Sequence, residues 1–214
     1  VSEMPKRGKR ALQTEDEISA IAATIGAGYA GVRSATATSG PGLALMAEML
    51  GLSVMAEVPA VIFVSQRGGP STGMPTKTEQ SDLNLAVFGG SGDAQRIVLA
   101  PTNVEGCWRC AGKAFEMAER YQTPVIVLLD LYLSNRYETV VVSPDEQFEP
   151  NMSKPMVKGK ADEKYQRFAT TDDGISPRAI PGQLGGIHTV TGLEHNDMGR
   201  PSDQPNIHMD MSEK

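Results

Sequence analysis

The chain has 214 residues, 40% hydrophobic and 21% charged, enough for one substantial globular domain and an appendage. Its 20 Lys and Arg stand against 26 Asp and Glu, a formal charge of −6 that argues against a general nucleic-acid-binding surface. No apolar run reaches the ~20 residues that span a bilayer, the first residues lack a signal peptide's apolar core, and two cysteines three apart suit a cytoplasmic, reducing location.

The spacing of Ile18, Ile21, Ala22 and Ile25 predicts a helix from Glu15 to Ala30. Thr14 is a plausible N-cap, with Glu17 three residues on as in a capping box. Ser34 to Thr38 reads as a short strand, and Ser39-Gly-Pro-Gly42 as a sharp turn. Leu43 to Met55 is expected as one helix, with Leu43, Met46, Ala47, Leu50 and Val54 on one side. Ala60 to Val64 is a strand, Ser81 to Phe88 a short helix, and Arg96 to Leu99 a strand. Asn103 to Tyr121 has Val104, Cys107, Ala111, Ala114, Phe115 and Ala118 on one helical face. Thr123-Pro then opens the fully apolar strand Val125 to Leu129, of the kind buried in parallel sheets.

Strands alternating with helices predict an α/β domain over residues 1–142, doubly wound, with a mostly parallel sheet and helices on both faces. Residues 143–214 are rich in Pro, Gly, Asp and Met and hold all three His. They read as an extended C-terminal arm or linker, ordered by contacts elsewhere.

The strongest candidate for function is the loop after the second strand, Gln66-Arg-Gly-Gly-Pro-Ser-Thr-Gly-Met-Pro-Thr-Lys-Thr-Glu-Gln80. Its Gly, Pro, Ser and Thr make it a loop, and loops at the carboxyl ends of parallel strands are where open α/β sheets bind ligands. Arg67 can hold a carboxylate or phosphate with two parallel hydrogen bonds; a mobile surface connection is the plainer alternative. The turn Ser39–Gly42 can offer backbone N–H groups to a ligand or be only a tight turn. It lacks the Lys and the spaced Gly of phosphate-binding fingerprints. Asp130, Ser134 and Asn135 line a site at the same sheet edge or form a turn. Cys107-Trp-Arg-Cys110 sits in an amphipathic helix without a second Cys pair, which favours core packing by Cys107 over metal or redox work. His188, His195 and His208 lack a tight metal-ligand spacing and read as solvated or interface residues.

Several strings together resemble one family. They are Glu-Asp-Glu-Ile-Ser-Ala-Ile (15–21), Thr-Ala-Thr-Ser-Gly-Pro-Gly (36–42), the 66–80 loop and Tyr-Gln-Thr-Pro-Val (121–125). In the arm, Asp-Gly-Ile-Ser-Pro-Arg (173–178) and Thr-Gly-Leu-Glu-His (191–195) fit the same pattern. The chain resembles, over nearly its whole length, the alpha subunit of 2-oxoacid:ferredoxin oxidoreductases, most closely the 2-oxoglutarate type.

The resemblance implies the pyrimidine-binding domain of a thiamine diphosphate enzyme. Such an enzyme decarboxylates a 2-oxoacid, transfers the acyl group to coenzyme A and reduces ferredoxin or a similar acceptor. By position, Glu17 matches the acid that hydrogen-bonds the cofactor's aminopyrimidine ring and promotes proton loss from thiazolium C2. Gly40 and Pro41 match the turn beside the cofactor. Arg67 matches the base facing the substrate carboxylate, and Thr72 and Thr76 match loop hydroxyls near the substrate. The resemblance places Mg²⁺ and an iron–sulfur cluster on a separate beta subunit that shares the cofactor, and no metal on this chain. Gamma and delta subunits and self-association of alpha/beta units also follow from it, with no nucleic acid or membrane partner.

The family's first strand, its Tyr-Pro-Ile-Thr-Pro turn and its second alpha-subunit domain are not found in this sequence, so a fragment is expected, inactive alone. Pyruvate and branched-chain 2-oxoacids are the alternative substrates. A non-catalytic scaffold of the same fold and a free-standing nucleotide-binding module are the alternatives of other classes.

Overall fold

The computed structural model describes residues 6, 8–141, 156–157, 159–162 and 164–213. The domain boundary expected at 142–143 lies outside them. One sheet contains β1 (Ala35–Ser39), β2 (Ala60–Gln66), β3 (Ile97–Leu99) and β4 (Pro124–Asp130), in the order β1–β2–β4–β3. All three pairings are parallel, so the carboxyl ends of the strands share one edge.

The alternation of side chains along the central strands builds two apolar layers. Ile62, Val64, Ile126 and Leu128 pack with Ile21 and Ile25 of α1 (Glu17–Tyr29), Leu43 of α2 (Gly42–Leu45) and Leu50 of α3 (Ala47–Met55). Val61, Val125 and Val127 pack on the other face with Ala114 and Ala118. Those alanines belong to α5 (Val104–Tyr121), capped by the Asn103 side chain on Gly106 N–H at 2.7 Å. Helices thus cover both faces, as the alternating pattern predicts.

Four local expectations are corrected. Asp16, not Thr14, caps α1: its carboxylate accepts from the Ser19 N–H and hydroxyl, each at 2.7 Å. Those two bonds hold the Asp16 carboxyl below its ordinary range. Glu17 is therefore the first helical residue, and its carboxylate is not engaged in a capping box. The single helix expected from Leu43 to Met55 is two, joined at Met46, whose N–H is shared between the Gly42 and Leu43 carbonyls at 3.2 Å each. Cys110, rather than Cys107, packs against the second apolar layer. The short helix α4 (Leu83–Phe88) starts two residues later than expected, and α6 (Leu131–Ser134) and α7 (Pro205–Glu213) were not foreseen.

The described part of the arm docks on this domain's own amino edge. Helix ends leave carbonyls without partners, and the arm supplies donors to them. Arg167 Nη2 donates to the Glu57 carbonyl at 2.7 Å and to Gln122 Oε1 at 2.9 Å, and Nη1 pairs with the Glu57 carboxylate at 3.1 Å. His195 Nε2 lies 2.9 Å from the Met55 carbonyl. Arg178 pairs with Glu119 at 2.9 Å, with both side chains buried. Met55, Glu57, Glu119 and Gln122 sit where α3 and α5 end, just before β2 and β4.

Candidate active site at the carboxyl edge of the sheet

Here β1 and β2 end side by side, with Ser39 level with Ser65, and Gln66 stands beside Asp130 of β4. The link 30–34 is short, so α1 runs back along the sheet and begins at the carboxyl edge. That brings Glu17 to the end of β1. Thr38 Oγ1 donates to Glu17 Oε1 at 3.2 Å, and the second carboxylate oxygen has no partner among the described residues. Gly42 makes the pair possible. A Cβ there would run into Thr38 Oγ1 and lie 2.8 Å from Glu17 Cγ.

Arg67 follows β2 directly. Its guanidinium lies on Gly40, which has φ +66° and so takes the left-handed conformation that favours glycine. Arg67 Nη2 donates to the Thr72 carbonyl at 3.2 Å. Its Nε is buried without a hydrogen-bond partner among the described residues. One turn, Ser39–Gly42, thus holds a carboxylate against one glycine and a guanidinium against the other. Pro41, between them, accepts from the Ala44 N–H at 3.0 Å and opens α2.

The loop after Arg67 is tied at its root. Gly68 N–H donates to the Lys77 carbonyl at 2.9 Å, and Met74 N–H to the Gly68 carbonyl at 2.8 Å. Glu79 accepts from Gly69 N–H at 3.2 Å, and Gln80 Nε2 donates to Asp130 Oδ2 at 2.7 Å. Thr72 and Thr76 lie in the exposed part of the loop. Neither hydroxyl donates a hydrogen bond among the described residues.

Asp130 also caps α6 through the Leu133 N–H at 2.7 Å, which makes it part of the frame. Ser134 meets Ser65 hydroxyl to hydroxyl at 2.7 Å, and the Asn135 side chain donates to the Leu131 carbonyl. Sequence reasoning named no role at this edge for Thr38 or Ser65, and it placed Glu79 and Gln80 in the 66–80 loop without seeing that they tie its root. The signal available was modest: hydroxyl residues at strand ends that meet loops. Among the described residues no group of three His, Cys, Asp or Glu could hold a metal ion, and no helix is long and apolar enough to cross a membrane.

The family described as "Pyruvate flavodoxin/ferredoxin oxidoreductase, thiamine diP-bdg" matches residues 1–214. A curated relative, 2-oxoacid:ferredoxin oxidoreductase 1, subunit alpha, of Sulfurisphaera tokodaii is 46% identical over 90% of this chain and 30% of its own length. 2-Oxoglutarate synthase subunit KorA of Methanothermobacter thermautotrophicus is 40% identical over 92% of this chain and 51% of its own. The chain therefore spans about a third to a half of the curated relatives it matches. Among solved structures, 2-oxoglutarate:ferredoxin oxidoreductase from Magnetococcus marinus, with 2-oxoglutarate, coenzyme A and succinyl-CoA bound, aligns with a TM-score of 0.84. That match is 43% identical and covers 99% of this chain and 36% of the other.

Proposed function

The chain belongs to the thiamine diphosphate-binding family of pyruvate flavodoxin/ferredoxin oxidoreductases, and on that premise we propose that it supplies the pyrimidine-side half of a 2-oxoacid oxidoreductase active site. The substrate we propose is 2-oxoglutarate, oxidised with coenzyme A to acyl-CoA and CO₂ while ferredoxin or a similar acceptor is reduced. The observation that carries the reading is the Ser39–Gly42 turn, which packs Glu17 and Arg67 at one sheet edge.

The residues fit the cofactor the family implies. Glu17 offers a carboxylate oxygen without a partner among the described residues, anchored through its other oxygen by Thr38. Gly42 keeps a side chain away from Glu17, and Gly40 leaves room for the Arg67 guanidinium. Thiamine diphosphate, when bound, supplies the electron sink for loss of CO₂ from a 2-oxoacid. This chain's part is to hold the ring through Glu17, beside Gly40 and Pro41, and to orient the substrate carboxylate with Arg67. The buried Arg67 Nε and the two Nη groups form a donor fork suited to a planar carboxylate. Thr72 and Thr76 are proposed as selectors of the 2-oxoacid.

Mg²⁺ and the iron–sulfur cluster are assigned to a beta subunit docked over this edge, where Met74, Leu83 and Tyr132 are each more than half exposed. Residues 1–142 would be the pyrimidine-binding domain and 143–214 the arm toward a further domain, in a cytoplasmic complex. Gamma and delta subunits and pairing of alpha/beta units are part of the same proposal.

The test is co-expression of the full-length subunit with its beta subunit, followed by viologen reduction with 2-oxoglutarate, coenzyme A and thiamine diphosphate. Pyruvate and branched-chain 2-oxoacids run in parallel. Activity that needs both chains and prefers one acid supports the half-site and names the substrate. An assembled complex with its cluster that reduces nothing with any acid would make the chain a scaffold.

A further inference from the structure

We infer that Thr38 is a positioning residue for Glu17: its hydroxyl fixes Oε1 and so leaves Oε2 as the oxygen that exchanges a proton with the bound ring. The inference rests on the proposed role of Glu17 and adds a residue and an atom to it.

Three features of the structure converge on this pair. Thr38 lies next to the last residue of β1, held in register with Val64 of the buried strand β2, so its hydroxyl springs from a rigid element. Glu17 comes from a different element, α1, whose first turn is set by the Asp16 cap. The 3.2 Å bond from Thr38 Oγ1 to Glu17 Oε1 therefore joins two independently fixed backbones across 21 residues of sequence. The third feature is Gly42. No positive φ demands glycine there; space does, because any Cβ would strike the Thr38 hydroxyl and crowd Glu17 Cγ.

The chemistry of the bond divides the carboxylate. A Thr hydroxyl has one proton to donate. Given to Oε1, it takes one lone pair of that oxygen and fixes its direction, and leaves Oε2 as the oxygen with both lone pairs free for the ring. Without the bond, a glutamate on the first turn of a helix turns about its side-chain torsions, and either oxygen can face the ring. Fixing the rotamer in advance is what a positioned acid–base group needs, since proton transfer depends on hydrogen-bond geometry before anything else. Asp16 is committed to Ser19, so Thr38 is the one side chain bonded to the Glu17 carboxylate among the described residues.

The experiment compares Thr38→Val, Thr38→Ser and Glu17→Gln in the full-length subunit assembled with its partners. The main readout is the rate at which the C2 proton of bound thiamine diphosphate exchanges with deuterium, read by NMR after acid quench. The second is the affinity for thiamine diphosphate by calorimetry, which checks that the site still forms. The expected result is exchange slowed by about tenfold to a hundredfold in Thr38→Val, the range for loss of a hydrogen bond to a charged group. Thr38→Ser should return to within about threefold of the wild type, and affinity should change by less than about threefold in both. Thr38→Val exchanging at the wild-type rate overturns the inference while leaving Glu17 in place, provided that Glu17→Gln is slow. Equal slowing by Val and Ser assigns Thr38 to packing and overturns it as well. Wild-type exchange in Glu17→Gln removes both the inference and the proposed role of Glu17.

Discussion

Arg67 lies against Gly40 so closely that a Cβ on the glycine would sit 2.6 Å from Nε and 2.9 Å from Cζ of the guanidinium. The backbone at Gly40 is also left-handed, with φ +66°. Gly40→Ala therefore does two things at once: it strains the turn, at a cost of about 1–3 kcal/mol, and it displaces the guanidinium. The expected outcome in the full complex is a KM for the 2-oxoacid raised by an order of magnitude or more. A KM that does not move would separate Gly40 from substrate binding.

Arg67→Lys keeps the charge but loses the planar fork. It should raise KM by about tenfold or more, the scale of one hydrogen bond to a charged group, and leave the melting temperature nearly unchanged because the site is at the surface edge of the sheet. Wild-type KM in Arg67→Lys would show that only charge matters there.

The Arg178–Glu119 pair makes a prediction about stability. The two side chains are 2% and 3% exposed. Arg178→Met leaves the Glu119 carboxylate buried without its guanidinium, which should cost about 3–5 kcal/mol. Urea unfolding of the wild type and variant measures it. A loss below about 1 kcal/mol would mean that groups other than Arg178 hold the carboxylate.

His188 gives the fold a pH dependence. Its Nδ1 lies 2.7 Å from the Gly186 carbonyl, its Nε2 is buried without a partner among the described residues, and Tyr29 and Tyr165 meet the ring edge-on. Burial pushes the imidazole below its ordinary 6.5; the Gly186 bond opposes this and the nearby Arg167 adds to it. The folded state then binds the proton less well than the unfolded state, so stability is full above 6.5 and falls as pH drops through and below it. Unfolding free energy measured from pH 7.5 to 5.5 should decline, and His188→Phe should flatten the decline. An unchanged slope in the variant would assign the effect to other groups.

Both cysteine thiols are pushed up by burial, Cys107 further by its neighbour Cys110. Thiolate is then scarce near neutrality. Alkylation by iodoacetamide at pH 8, followed by mass spectrometry, should be slower than that of free cysteine at either position. Faster labelling would reopen a redox role for the C-x-x-C pair.

Much of the fold was legible because it follows local rules. The apolar runs of β2 and β4, the apolar face of α5 and the stripe of α1 each lie within one window of sequence. The errors arose where two local rules competed or where contacts are remote. Thr14 and Glu17 satisfy the capping-box spacing, but Asp16 and Ser19 do so as well, and a carboxylate that takes two bonds from Ser19 prevailed. The arm read as a linker because its few apolar residues give no period. Its anchors are instead arginines, whose partners lie 59 residues away for Arg178 and 110 for Arg167. Of the site, the 66–80 loop was legible from its composition, whereas the Thr38–Glu17 bond depends on how α1 and β1 meet.

The loop after β2 is clamped at its base while its tip stands in solvent: Gly68, Gly69 and Gln80 are each tied down, and residues 70–76 are exposed. Such a hairpin works like an interchangeable tool head on a fixed shank. Under the proposed function, rewriting the tip would retune which 2-oxoacid is taken without disturbing the seat of Arg67, and grafting residues 70–76 between relatives would be the shortest route to a new preference.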